Sequence, residues 1–250
     1  AERRLHQFGD RFIPAQGTYA DLGQLAQGAN IDRVDGVLLD LGLSSWQLEG
    51  AGAGFSFQRD EPLDMRFDPK GTGPDAAELV NTLSEDELGN LLFQYGEEPR
   101  ARTIARALVQ ARQGNPIRTT VQLVKLMEAI PGLRRGRRTH PATRTFQALR
   151  IAVNDELTNL EAGIKAAIEL LKTKGRLVVI SYHSLEDRLV KQSLAYQAAS
   201  CVCPAEIPVC VCNHQATVRI INRRIIRPAP AEVAANPRSR SARMRVAEKL

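Results

Sequence analysis

Asp40 and the segment Tyr182-His-Ser-Leu-Glu-Asp-Arg188 carry the residue types best suited to chemistry in this sequence, and each follows a short apolar run. Val34-Asp-Gly-Val-Leu-Leu39 leads into Asp40-Leu-Gly, and Arg176-Leu-Val-Val-Ile-Ser181 leads into Tyr182. An apolar run that ends in an acid and a glycine predicts a buried parallel strand with its carboxyl end open to a site. Ligands of open α/β sheets bind outside those ends. A carboxylate there accepts N–H or O–H donors and stabilises positive charge as it develops. His183 adds a ring that changes charge near neutral pH, or else a histidine satisfied by local hydrogen bonds.

The cysteines form a second group, Cys201-Val-Cys203 and Cys210-Val-Cys212, with His214 nearby. Folded back as a hairpin, the two pairs offer four thiolates to one structural zinc. Zinc knuckles prefer two intervening residues, so four free buried thiols stand as the equal alternative, and a catalytic thiol ranks below both. Basic residues form a third group. Arg134, Arg135, Arg137, Arg138 and Arg144 share a stretch without an acid. Residues 219–250 hold nine Lys or Arg against two Glu, a net of +7 that exceeds the +6 of the whole chain. That density predicts a polyanionic partner, with a solvated tail as the alternative. The sequence holds no P-loop, no Gly-x-Gly-x-x-Gly after a strand, no His-Glu-x-x-His and no nucleophile elbow.

Positioning these groups takes a sheet and its covering helices. The chain has 250 residues, 34 Lys plus Arg and 28 Asp plus Glu, with 43% apolar and 25% charged residues, the proportions of a globular protein. The longest apolar runs are far too short to span a bilayer. Four cysteines do not make a secreted disulfide framework, and the charged start Ala1-Glu-Arg-Arg is no signal peptide. A cytoplasmic protein without a membrane partner is expected. Ser84 with Glu87 predicts a capping box ahead of an apolar face at Leu88, Leu91, Leu92 and Tyr95. Further helices are expected over 99–113 and from Thr119 to Pro131, so that 70–139 is mostly helical. Phe146 to Leu171 repeats at helical spacing, with a break near Asn154 and a close at Gly175. One or two late strands are expected around 217–227. Leu5 and Phe8 read as the middle of an amphipathic helix, and with no Met at position 1 the sequence is expected to be an N-terminally truncated fragment. The pattern predicts an open α/β sheet with a helical insertion after Asp40.

Seven segments, in order, resemble one family. They are Asp35-Gly-Val-Leu-Leu-Asp-Leu-Gly-Leu-Ser-Ser-Trp-Gln-Leu48, Gly54-Phe-Ser-Phe57, Pro62-Leu-Asp-Met-Arg66, Gly96-Glu-Glu98, Thr145 to Leu157, His183 to Arg188 and Asn236 to Arg245. All are similar to the RsmH (MraW) family of bacterial methyltransferases, which modify the N4 of a cytosine in small-subunit 16S ribosomal RNA. The resemblance implies a class I, Rossmann-like methyltransferase core with a doubly wound, mostly parallel sheet. Residues 1–69 and 141–250 would form that core, and 70–140 a helical insertion domain. It implies S-adenosylmethionine as cofactor, with Tyr19 against its adenine and Asp40 and Gln47 also touching it. His183, Ser184, Asp187 and Arg188 would line the target-base side, and Asp40 and His183 are the candidate catalytic pair. Family members carry a glycine-rich turn and an acidic residue upstream of the region matched here. RNA phosphates are assigned to Arg134, Arg135, Arg137, Arg138, Arg238, Arg240 and Arg243. Small-subunit ribosomal RNA is the expected partner, with a homodimer left open. Two rival readings are a non-catalytic RNA-binding fragment and a DNA amino-methyltransferase.

Overall fold

Alternating apolar residues build the sheet, and helical three- and four-residue spacing builds what covers it. The structure, a computed structural model, describes residues 2–44, 47–48, 52–133, 139–204, 206 and 209–250. In chain order the elements are α1 (Glu2–Leu5), α2 (Leu22–Gly28), β1 (Val34–Asp40), α3 (Ala76–Thr82), α4 (Glu85–Gly96), α5 (Ala101–Gly114), α6 (Thr120–Glu128), α7 (Ala142–Asn154), α8 (Glu156–Leu170), β2 (Leu171–Ser181), α9 (Ser184–Ala198), β3 (Val218–Ile220), α10 (Pro230–Ala235) and β4 (Arg243–Lys249). The chain divides into two compact units, 1–42 with 157–250, and 43–156.

The first unit is the α/β body. Its sheet has the order β1-β2-β4-β3. β1 and β2 are parallel, with Asp40 opposite Ile180. β4 is antiparallel to both of its neighbours, so three strands run one way and the fourth is inserted against them. Leu39, Leu177, Val179, Val218 and Ala247 from the strands join Leu160, Ile164 and Ile168 of α8 and Val190 and Leu194 of α9 in one core. β1 is buried on one face only: Leu39 is buried, while its neighbour Leu38 on the other face is 63% exposed. α8 stops five residues before the expected Gly175. The turn lies between helix and strand pairing, with Lys174 left-handed at φ 67 and Gly175 packed so closely on Lys172 O that a Cβ would sit 2.8 Å away. The N-terminal segment is a single helical turn followed by a 3-10 turn, kinked at Gly9.

β4 falls inside the stretch read from sequence only as a basic tail. Arg243, Arg245 and Ala247 alternate along it, as strand residues on one face do. Ala247 reaches the core, and the two arginines meet Asp187 in the first turn of α9.

The second unit is helical, and the expected insertion 70–140 lies within it. Its edges are wider, because the loop after residue 52 is packed rather than free. Leu63 and Met65 are fully buried with Leu88, Leu92, Ile104, Leu108, Leu123 and Leu149. Gly54, at φ +75, lies so near Pro62 O that there is no room for a Cβ. The break expected near Asn154 falls at Asp155, which is left-handed at φ 47 and closes α7.

Candidate functional site

Asp40 and Tyr182 stand at the same ends of paired parallel strands. Asp40 is the last residue of β1 and is exposed. Pairing continues one step further, Leu41 N donating to Ile180 O at 3.0 Å. Gly42 then turns the chain at φ +88, beside the Tyr182 ring. The Tyr182 hydroxyl donates to Asp40 Oδ1 at 2.9 Å. Burial, and then this bond to Asp40, push the Tyr182 phenol up to about 12. The tyrosine therefore remains a donor at any physiological pH, and its bond fixes the Asp40 side chain.

His183 follows as the N-cap of α9. Its Nδ1 accepts from Glu186 N at 3.4 Å. Glu186 Oε2 in turn accepts from Tyr182 N at 2.8 Å and His183 N at 3.2 Å. This is a capping box with histidine in the place usually taken by serine or threonine. An Nδ1 that accepts a hydrogen bond puts the ring proton on Nε2. Nε2 lies 3.1 Å from Glu186 Oε1 but is out of line for a hydrogen bond, and it stays buried without one. Glu186 is buried, and the bonds it shares with His183 set the start of α9 while leaving His183 Nε2 without a hydrogen bond.

Asp187, one residue on, is committed to β4: Arg245 Nε lies 2.7 Å and Arg243 a longer 3.4 Å from its two oxygens. Arg243 is thus placed on the sheet facing α9. Arg238 and Arg240 belong to the exposed 3-10 turn Pro237–Ser241, pinned by Ser239 Oγ donating to Asn236 O at 2.8 Å. Arg134, Arg135, Arg137 and Arg138 lie outside the described residues.

Tyr19 is half-buried and packs on the backbone of α8, where a Cβ at Gly163 would stand 2.7 Å from its ring. Gln47 belongs to the second unit, and its Oε1 accepts from both Ser44 N and Ser44 Oγ at 3.0 Å. The sheet therefore brings Asp40 and the Tyr182–His183 segment together. Tyr19 sits on another element, and Gln47 in the other unit.

Several recognised motifs build the second unit. Arg66 grips Asp64 with two bonds of 2.8 Å, and this guanidinium holds the Asp64 carboxyl below its ordinary value. Asn154 donates to Met65 O and accepts from Phe67 N, both at 2.7 Å. Arg150 pairs with buried Glu156 at 2.6 and 2.8 Å.

The four cysteines gather on the connection from α9 to β3, their sulfurs all within 4.8 Å of one another. Among the described residues no helix is long and apolar enough to cross a membrane. Sequence reasoning placed Tyr182 and Glu186 in the segment after the strand but gave neither of them a partner. The signal was present in their place directly after an apolar strand, but their partners are set only by register and capping.

The profile of the MraW methylase family matches residues 1–250. Among curated relatives, the ribosomal RNA small subunit methyltransferase H of Thermomicrobium roseum is 54% identical over 250 residues, covering 100% of this chain and 76% of the relative. The protein of the same name from Dehalococcoides mccartyi is 52% identical, covering 100% and 70%. That from Geobacter sulfurreducens is 51% identical, covering 100% and 80%.

Proposed function

The chain belongs to the MraW methylase family, and on that premise we propose that the Asp40 end of its sheet serves methyl transfer from S-adenosylmethionine to the N4 amine of a cytosine in small-subunit ribosomal RNA. The observation that carries the reading is the exposed Asp40 carboxylate, held by Tyr182 at the carboxyl ends of two parallel strands. The cofactor's ammonium, amine and hydroxyl groups are donors and its sulfonium is a cation, so an exposed carboxylate with one oxygen left for a ligand fits that donor set. Bound there, the cofactor supplies a methyl group activated by a positively charged sulfur.

The residues of this chain supply the rest. The cytosine amine is a weak nucleophile, because its lone pair is delocalised into the ring. An acceptor for its N–H groups favours a pyramidal nitrogen and stabilises the positive charge that develops there. Asp40 is assigned that role, and Tyr182 keeps the carboxylate aimed. His183 acts as a positioning residue, fixing the first turn of α9 behind Tyr182. Holding both reactants in line provides much of the remaining acceleration. The target base leaves its stack to enter. The relatives' shared name specifies ribosomal RNA, which favours this reading over an amino-methyltransferase of DNA.

The test is transfer of labelled methyl groups by the intact protein to small ribosomal particles and, in parallel, to duplex DNA. Label should appear in a cytosine of the RNA and not in DNA. Asp40→Asn should lower transfer by about 100-fold or more, the scale of losing one charge-stabilising group, without lowering the melting temperature, since Asp40 is exposed. Wild-type turnover by the variant would remove Asp40 from the chemistry.

A further inference from the structure

We propose that Cys201, Cys203, Cys210 and Cys212 bind one zinc ion as a tetrathiolate site that holds the connection between α9 and β3. The sulfur spacing is the first observation. Four sulfurs about 2.3 Å from a shared ion stand about 3.8 Å from one another in a tetrahedron. Cys210 and Cys212 Sγ are 3.5 Å apart, and Cys212 and Cys201 Sγ 3.9 Å. Both distances exceed an S–S bond of about 2.05 Å, and the four thiols are free.

Donors aimed at the sulfurs are the second observation. Backbone N–H groups of Val202, Cys203 and Val211 donate to Cys212, Cys201 and Cys203 Sγ, each at 3.4 Å. Such outer bonds orient metal ligands and spread the charge of thiolates. They tie the two Cys-Val-Cys arms together, since Val202 of the first reaches Cys212 and Val211 of the second reaches Cys203.

The third observation is what the segment lacks. The described residues of 201–217 include no helix or strand. Val209 and Val211 are 70% and 69% exposed, so the two valines stand in solvent beside cysteines that are themselves exposed (Cys201, Cys210) or half-buried (Cys203, Cys212). The hydrophobic effect alone would bury such valines. The base of the loop is closed by Thr217 N donating to Gln197 O at 2.8 Å and by His214 Nε2 donating to Tyr196 O at 2.9 Å. What converges in the loop is four sulfurs within 4.8 Å of one another, and binding a metal among them releases the thiol protons. α9 has 15 residues, about 22 Å of helix, and its opposite end carries the Asp40 site. The metal is therefore structural, and the inference is independent of how methyl transfer proceeds.

Elemental analysis of the intact protein, produced with zinc in the medium and freed of loose metal by gel filtration, should find about one zinc per chain. Replacement by cobalt should give the strong thiolate-to-metal absorption of a tetrahedral site. Cys203→Ser should lose both signals and speed hydrogen exchange in 201–217, while β1 and β2 exchange as before. Should that variant fail to fold, the zinc content and cobalt spectrum of the wild-type chain decide alone. Iron in place of zinc, two disulfides by mass, or a metal-free native protein with four reactive thiols would each overturn the proposal.

Discussion

Tyr182 and Asp40 meet across 142 positions of sequence, and one hydrogen bond fixes both side chains. Its pH dependence follows from the tyrosine. The free phenol ionises near 10.0, and in the fold its value rises to about 12. A raised folded value means the bond's contribution is whole below about pH 10 and lost as pH climbs through about 12. An absorbance titration of the four tyrosines should therefore show one late ionisation near the top of the range. Tyr182→Phe should remove it and flatten the loss of stability between those pH values. An unchanged titration would place the late tyrosine elsewhere. Asp40 itself was legible in the sequence, because an acid that ends an apolar run lies at a strand end whatever the partner strand. Tyr182 was not, since its role depends on the register that puts Asp40 opposite Ile180. His183 was legible as a site candidate, but the spacing that makes it a cap, Glu186 three residues on, is the same spacing that marks helix starts elsewhere in the chain.

Helix starts show why some elements are readable and others are not. Ser84 with Glu87 and Thr119 with Gln122 both form capping boxes, as their spacing predicts, because a cap involves only neighbours along the chain. β4 was hidden because its charges at Arg243, Arg245, Glu248 and Lys249 break the apolar run by which strands are recognised. Those charges are tolerated because Asp187 takes up the first two, and Glu248 sits 2.7 Å from Arg219. The packed loop after residue 52 was hidden for a similar reason, since Gly, Pro and Asp spell a turn but do not say what the turn rests on. Gly96 shows how close such packing becomes. At the end of α4 it lies against α7, where a Cβ would stand 2.8 Å from Arg144 O and 3.2 Å from Ala148 Cβ. Both neighbours sit in a helix and yield little. Gly96→Ala should force α4 away from α7 and cost about 1–3 kcal/mol, read as a lower denaturation midpoint with the slope preserved. Neutral behaviour would show that the two helices separate without strain.

On the scale of the whole molecule the excess charge of +6 is less than the C-terminal segment carries alone, and the structure separates four of that segment's arginines into two kinds. Arg243 and Arg245 face α9 and share Asp187, with Arg245 and Asp187 only 13% and 14% exposed. Arg238 and Arg240 are exposed on the 3-10 turn Pro237–Ser241. Charges of the first kind are stability determinants, because they join β4 to α9 through the half-shielded Asp187 carboxylate. Charges of the second kind lie at the surface, where phosphates can reach them, and neutralising phosphates releases counterions and makes affinity fall with salt. The two kinds predict opposite outcomes. Replacing Arg238 and Arg240 by Ala should weaken binding to small-subunit RNA and lower the salt slope by about one unit per lost phosphate contact, with cofactor affinity unchanged and a smaller loss of stability than Arg245→Ala causes. Arg245→Ala should instead lower stability by about 1.5–3 kcal/mol, the scale of a lost hydrogen bond to a charged group, because Asp187 keeps only its longer bond to Arg243, and should leave the salt slope alone in whatever protein remains folded. RNA titrations at several salt concentrations, paired with thermal melts, read both arms. If the Arg238 and Arg240 variant keeps its slope, the exposed turn does not touch RNA, and the phosphate contacts lie on another part of the basic surface.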